Sequence, residues 1–99
     1  MDADEIRTLL GDNIFERAKK YRKRIQQSTC TVNADGVRHI SAMVQGSGGS
    51  YYYTQAWLRE NGSFVSASCD CPYNQNGDGT YCKHIGALLL DGIGDTIRV

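Results

Sequence analysis

The segment Cys69–His84 reads CDCPYNQNGDGTYCKH and contains three of the four cysteines of the chain and one of its two histidines. Cys69 and Cys71 are separated by one residue, and after ten further residues Cys82 and His84 repeat that spacing. Zinc in proteins takes sulfur and nitrogen donors at the corners of a tetrahedron. The segment therefore predicts one zinc ion held by Cys69, Cys71, Cys82 and His84.

The residues around these donors indicate a structural zinc rather than a catalytic one. Cys69 and Cys71 lie on the same side of an extended strand, because side chains alternate between its two faces. Pro72 prevents further strand pairing, and the polar residues that follow favour a loop returning the chain to the metal. Four protein donors close the coordination sphere, whereas a catalytic zinc keeps one position for water. We expect a binding module and no enzymatic activity.

Three other interpretations of the same residues stay open at this stage. The cysteines can be small buried apolar residues with His84 capping a helix. Cys69 and Cys71 can form a thiol redox pair. A nucleophilic pair of Cys82 and His84 is disfavoured, because residues two apart on a helix face different directions. Cys30 is expected in the core, and His39 is expected to be an ordinary strand residue.

The central part of the chain predicts a β-sheet. Turn signals at Asn33–Gly36, Gly46–Gly49 and Glu60–Ser63 separate β-prone runs. The connections are too short for crossover helices, so the sheet should be antiparallel, and a meander is the simplest strand order. Alternating apolar residues predict one covered face: Cys30, Val32, Ile40, Ala42, Val44, Val65 and Ala67. The four strands are predicted near 24–32, 37–45, 51–58 and 63–69.

Helices are predicted before and after the four strands in the sequence. Apolar residues from Ile6 to Tyr21 recur at helical spacing, and Gly11-Asp12 interrupts them, so one helix or two short ones are expected. A short helix from Lys83 to about Leu90, ending at Gly92, should cover the sheet. The fold class is α+β, with one domain over residues 1–92. Residues 93–99 are expected to be a tail or the start of a linker.

The composition indicates an ordinary soluble protein with no general attraction to polyanions. Eleven Lys and Arg residues balance eleven Asp and Glu residues, and 40% of the chain is hydrophobic. The first residues, Met1–Glu5, are acidic where a secretory signal is basic and then apolar. No apolar run approaches the roughly 18 residues of a membrane span. We expect an intracellular protein with no membrane partner.

The Cys-x-Cys and Cys-x-His pairs resemble the SWIM zinc finger. Cys69–Tyr73 and Cys82–Leu89 look like the fuller signature of its bacterial and archaeal members. Upstream, Phe15–Ala18 and Ala42–Ser47 look like segments that precede the finger when it accompanies SWI/SNF-type helicases, although Ala18 replaces a glycine often found there. The resemblance spans about residues 10–92 and implies one structural zinc per chain. It also implies a DNA-binding or protein-interaction unit.

The partner predicted from the sequence is DNA or a protein, with a helicase domain on the same longer chain or in the same complex. Clustered Lys and Arg residues can neutralise phosphates, or they can form a solvated face at a helix end. Tyr51–Tyr53 and Trp57 can stack on bases, although packing in the core or at a sheet edge is favoured. A free-standing protein-interaction adaptor is the alternative function. The candidate binding residues are Arg17, Lys19, Lys20, Arg22, Lys23, Arg24, Tyr73, Tyr81 and Lys83.

Overall fold

The N-terminal part of the chain forms two short helices. The computed structural model describes residues 2–72 and 81–98, with side chains described as far as Asp91. Helix α1 spans Ala3–Leu10 and helix α2 spans Asp12–Tyr21. They are separated by Gly11, whose φ of 85° suits glycine and ends α1. Of the two possibilities that the sequence allowed, the structure therefore has the two-helix form.

The middle of the chain forms a four-stranded antiparallel sheet. After a 3-10 turn at Arg22–Arg24, the strands follow one another in the order β1-β2-β3-β4. This order confirms the predicted meander, and each strand begins and ends within one residue of its predicted position. The strands are β1 Ile25–Val32, β2 Arg38–Gln45, β3 Tyr51–Leu58 and β4 Phe64–Cys69.

The last helix, α3, spans Lys83–Arg98 and lies between the sheet and the two N-terminal helices. Its Ile85, Leu88 and Leu89 are at most 1% exposed. The predicted covering helix is thus confirmed, and burial of these side chains provides much of the apolar stabilisation. The helix continues beyond Gly92, where it was predicted to end. An interior glycine costs a helix only about 1 kcal/mol relative to alanine, so it does not by itself end one.

The first strand is less covered than the sequence predicted. Cys30 pairs with the buried Ile40 but is itself exposed, and Val32 is 65% exposed. The prediction that Cys30 belongs to the core is wrong. The reason is the position of α3, which packs against β2, β3 and β4 while β1 lies at the edge of the sheet. A lone cysteine in an alternating pattern does not reveal how far the covering helix extends.

The fourth strand departs from its predicted alternation at one residue. Val65 was expected on the covered face but is 40% exposed. The pairing of β3 with β4 shifts between Trp57, which pairs with Ser66, and Leu58, which pairs with Phe64. Val65 is the residue passed over by this shift, so it does not take the inward position that strict alternation gives it.

Within the described residues, none of the helices combines the length and apolar character needed to cross a membrane.

Gly86 allows α3 to approach the N-terminal helices closely. A Cβ atom at this position would lie 2.6 Å from Leu10 Cδ1 and 2.7 Å from Ala18 Cβ. Alanine normally stabilises a helix by about 1 kcal/mol over glycine. We expect the opposite sign for Gly86→Ala, a loss of about 1–3 kcal/mol from overpacking. Denaturant unfolding of the zinc-loaded protein measures this change in the free energy of unfolding. Equal or higher stability of the variant would show that α1 and α2 move aside without cost.

Candidate metal centre

Two structural elements bring the four predicted zinc donors together. Cys69 is the last residue of β4 and Cys71 follows it, while Cys82 and His84 lie at the start of α3. Asp70, between the first two cysteines, accepts a hydrogen bond at Oδ1 from the Tyr53 backbone N–H at 3.0 Å. Its own N–H donates to the Tyr53 carbonyl at 3.3 Å. Asp70 therefore fastens the Cys-x-Cys segment to β3.

The distances between the donor atoms fit a tetrahedral metal site. The three sulfurs and one nitrogen all lie within 4.8 Å of one another. His84 Nδ1 lies 3.7 Å from Cys69 Sγ and 3.8 Å from Cys82 Sγ. Bonds of about 2.3 Å to sulfur and 2.0–2.1 Å to nitrogen, meeting at the tetrahedral angle, place these atoms about 3.6 Å apart. The side chains thus fit zinc with little movement.

All four donors are buried, with exposures from 1% for Cys82 to 5% for Cys69. Nearby Thr54 Oγ1 lies 3.4 Å from Cys69 Sγ and is fully buried. Burial excludes water, so the site has the closed character of a structural zinc rather than the open position of a catalytic one.

The thiols interact strongly even without a metal. A hydrogen bond from Cys82, assisted by His84 and Thr54, lowers the pKa of Cys69 well below its ordinary value. The same hydrogen bond, together with burial, raises the pKa of Cys82 above its ordinary value. The two sulfurs therefore share one proton as a pair. A bound zinc holds cysteine ligands as thiolates, so its binding releases protons.

Two tyrosines orient the imidazole of His84. The Tyr21 ring meets it edge-on at 5.4 Å, and the Tyr52 ring lies 5.1 Å away. Nδ1 faces the sulfurs, so it is the nitrogen that would bind zinc. Nε2 is buried and has no hydrogen-bond partner in the described part of the chain. Sequence reasoning missed both tyrosines in this role, since no local spacing links them to the histidine.

Some of the Lys and Arg residues predicted to bind a partner lie near the metal centre. Arg17 and Lys83 line a cavity of about 150 Å³ that also contacts Cys71, Cys82 and His84. The Arg24 and Lys83 cations each lie 4.9 Å from the centroid of the Tyr21 ring. Arg24 also donates to the Gly46 carbonyl at 3.1 Å. Arg17 and Lys83 therefore line the same cavity, and Arg24 and Lys83 contact the same Tyr21 ring, which in turn meets His84.

Of the other candidate binding residues that the structure describes, none lines this cavity. Lys19 pairs with Glu16 at 2.9 Å and lies over the Phe15 ring, and its hydrogen bond lowers the pKa of Glu16. Tyr81 packs against Phe64 with ring centroids 5.4 Å apart. Lys20, Arg22 and Lys23 are exposed. Tyr73 lies outside the described residues.

The candidate aromatic residues of β3 divide between the two faces of the sheet. Tyr52 faces the core, whereas Tyr51 and Tyr53 are 43% and 42% exposed. Trp57 stacks on His39 at 4.9 Å, and His39 Nε2 lies 2.9 Å from Gln55 Oε1. His39 is thus part of a polar and aromatic outer face and is remote from the zinc donors in the strand register.

A buried cluster of three cysteines and one histidine that joins β4 to α3 defines a small zinc-binding domain. Residues 52–92, which include all four donors, match the family model described as SWIM zinc finger. The match confirms the resemblance over the metal-binding segment. Comparison with curated proteins and with solved structures finds no match.

Proposed function

We propose that this zinc-binding module binds the phosphate backbone of nucleic acid with the basic site formed by Arg17, Arg24 and Lys83. The proposal is supported by two observations: Arg17 and Lys83 line the cavity beside the zinc donors, and Arg24 and Lys83 both contact the Tyr21 ring that meets His84. Positive charge concentrated at one place attracts phosphates even when the chain as a whole is neutral. Zinc has a structural part in this function, because Lys83 lies between the ligands Cys82 and His84.

The charge of the zinc centre makes this concentration necessary. Three thiolates on one divalent ion leave one negative charge, and the chain without metal has a formal net charge of zero. General attraction to a polyanion is therefore absent. Nucleic-acid binding then depends on the basic site, so the proposal can be tested by replacing single cations of that site.

The test compares two positions on the same helix. Arg17→Gln removes a cation at the basic site, whereas Lys19→Gln removes the same charge from the side of α2 that carries Phe15. We expect zinc-loaded protein to bind a short DNA duplex with an affinity that falls with salt. Arg17→Gln should weaken binding about tenfold and reduce the slope of log affinity against log salt by about one. Lys19→Gln should change both quantities little.

Fluorescence anisotropy over a salt series measures both variants and Lys83→Gln. Equal losses from Arg17→Gln and Lys19→Gln would contradict the proposed site. A flat titration of the wild-type chain at low salt would instead favour the protein-interaction adaptor. The exposed Tyr51 and Tyr53 on the outer sheet face are the candidate contacts for such a partner.

Association with a SWI/SNF-type helicase is a further proposal supported by the resemblance of Phe15–Ala18 and Ala42–Ser47 to helicase-linked segments. Binding of the zinc-loaded chain to a purified helicase of that type tests it.

The redox alternative at Cys69 and Cys71 differs from zinc binding in the reactivity that it requires of these thiols. It requires rapid reaction with an alkylating reagent, whereas zinc coordination protects them until a chelator is added.

A further inference from the structure

The cavity beside the metal centre has the features of an anion site. Its lining includes the basic residues Arg17 and Lys83, the turn Gly46–Gly48, and the metal donors Cys71, Cys82 and His84. Among the lining residues that the structure describes there is no carboxylate. Helix α3 begins at Lys83, so the positive end of its dipole also lies at this place.

The second, independent observation is the unpartnered nitrogen of His84. The side chain is only 4% exposed, and its Nε2 has no hydrogen-bond partner among the residues described. When a metal binds Nδ1 of a neutral imidazole, the proton must reside on Nε2. Metal-bound histidines almost always donate this proton to a carboxylate, a carbonyl or water. The described residues therefore present a buried donor and supply no acceptor for it.

The acceptor can approach through the turn that follows β2. A Cβ on Gly46 would lie 3.6 Å from His84 Nε2, which places this turn directly beside the nitrogen. Ser47, Gly48 and Gly49 are exposed, and the position of a Cβ on Gly48 has no atom within 4 Å. Access of an acceptor to the buried Nε2 requires an outward movement of this turn, and the open space around Gly48 leaves room for it.

We propose that this cavity binds one phosphate group, with one oxygen accepting the His84 Nε2 proton and the others contacting Arg17 and Lys83. The inference rests on the proposed nucleic-acid function and names the chemical group that the site recognises. Two cations outweigh the single negative charge of the zinc centre, so an anion is favoured there. Donors from α2 and α3 that approach from different directions suit a tetrahedral phosphate better than a planar carboxylate.

The same geometry couples phosphate binding to retention of zinc. One imidazole ring binds the metal at Nδ1 and the phosphate oxygen at Nε2. An acceptor at Nε2 makes the ring a stronger metal ligand. By thermodynamic reciprocity, zinc at Nδ1 strengthens phosphate binding to the same degree. The phosphate-bound chain should therefore lose zinc more slowly.

The experiment follows His84 directly in the zinc-loaded full chain labelled with ¹⁵N-histidine. Inorganic phosphate, titrated at constant ionic strength, should produce a saturable shift of the His84 Nε2–H resonance. It should also slow zinc transfer to a colorimetric chelator several-fold. Arg17→Gln and Lys83→Gln should abolish both effects, whereas Lys19→Gln should retain them. Absence of the shift, or an equal response to acetate, would overturn the phosphate site.

A parallel experiment with a short DNA duplex distinguishes failure of this inference from failure of the proposed function. Competition between a short DNA duplex and inorganic phosphate for the His84 signal would support a backbone phosphate in the cavity. Binding of phosphate without such competition would support the site for free phosphate while contradicting the nucleic-acid function. Binding of DNA that leaves the His84 resonance unchanged would overturn the inference and leave the proposed function standing.

Discussion

Replacing Cys71 by serine is expected to abolish zinc binding and, with it, most of the folded population. Cys71 is 2% exposed and is one of the four clustered donors. A serine hydroxyl does not replace a thiolate as a zinc ligand. Structural zinc supplies roughly 10–16 kcal/mol of apparent binding free energy in small zinc-finger peptides. A natural domain has only about 5–15 kcal/mol of total stability, so loss of the metal is expected to be decisive.

A matched control is available in the same chain. Cys30→Ser makes the same chemical change at an exposed residue of β1, which lies outside the metal cluster. We expect this variant to retain one zinc per chain and the wild-type melting temperature within about 2 °C, as for most surface substitutions. Zinc analysis and near-ultraviolet circular dichroism measure both variants. Comparable behaviour of Cys71→Ser and Cys30→Ser would contradict the assigned ligand set.

Gly46→Ala is expected to weaken the metal centre without touching a ligand. The added Cβ would lie 2.7 Å from Tyr52 Cε2, and the Tyr52 ring packs against His84. Either the turn or the ring must move. We expect a loss of about 1–3 kcal/mol in the free energy of unfolding, which is typical of overpacking. Because the displaced ring orients His84, zinc transfer to a chelator should also become faster.

Gly48→Ala provides the control two residues away in the same turn. An added Cβ there would meet no atom within 4 Å, and the backbone does not have a positive φ. Stability and the zinc transfer rate should both remain close to wild type, as measured by denaturant unfolding and chelator competition. If Gly46→Ala behaved like Gly48→Ala, the Tyr52 packing would have no part in holding the histidine.

The zinc donors and the strand order were predictable because both depend on local signals. Cys-x-Cys and Cys-x-His spacing shows which donors can share a metal. Asp35-Gly36 and Asn61-Gly62 mark turns that require positive φ, and Gly36 and Gly62 adopt φ values of 82° and 89°. Such features need no knowledge of the tertiary structure, which is why the meander and the metal cluster agree with expectation.

Two features depend on tertiary packing. One is the exposure of Cys30, and the other is that only some of the clustered Lys and Arg residues lie beside the metal centre. The covered part of a sheet is set by the position of α3, which an alternating strand does not encode. Arg17 and Lys19 are two residues apart in sequence, yet one faces the cavity and the other pairs with Glu16. Their separation follows from the rotation of α2 about Phe15 and Ala18, both of which are buried.

The role of Gly46 shows how the turn and the metal centre depend on each other. From sequence, Gly46-Ser47-Gly48-Gly49 indicates only a hairpin connection. In the folded chain, Gly46 lies against Tyr52 and beside His84 Nε2, and its carbonyl accepts a hydrogen bond from Arg24. The turn thereby links the basic site to the imidazole. A glycine whose function is close approach rather than positive φ has no local signature.

Zinc is expected to be the link that holds β4 to α3, and its removal should therefore unfold the domain. Purified chain is analysed for zinc and then melted with and without a chelator, followed by near-ultraviolet circular dichroism. We predict one zinc per chain, a cooperative transition for the loaded protein, and loss of tertiary signal once zinc is removed. A protein that contains no zinc, or that melts identically after chelation, would show that zinc does not hold β4 to α3.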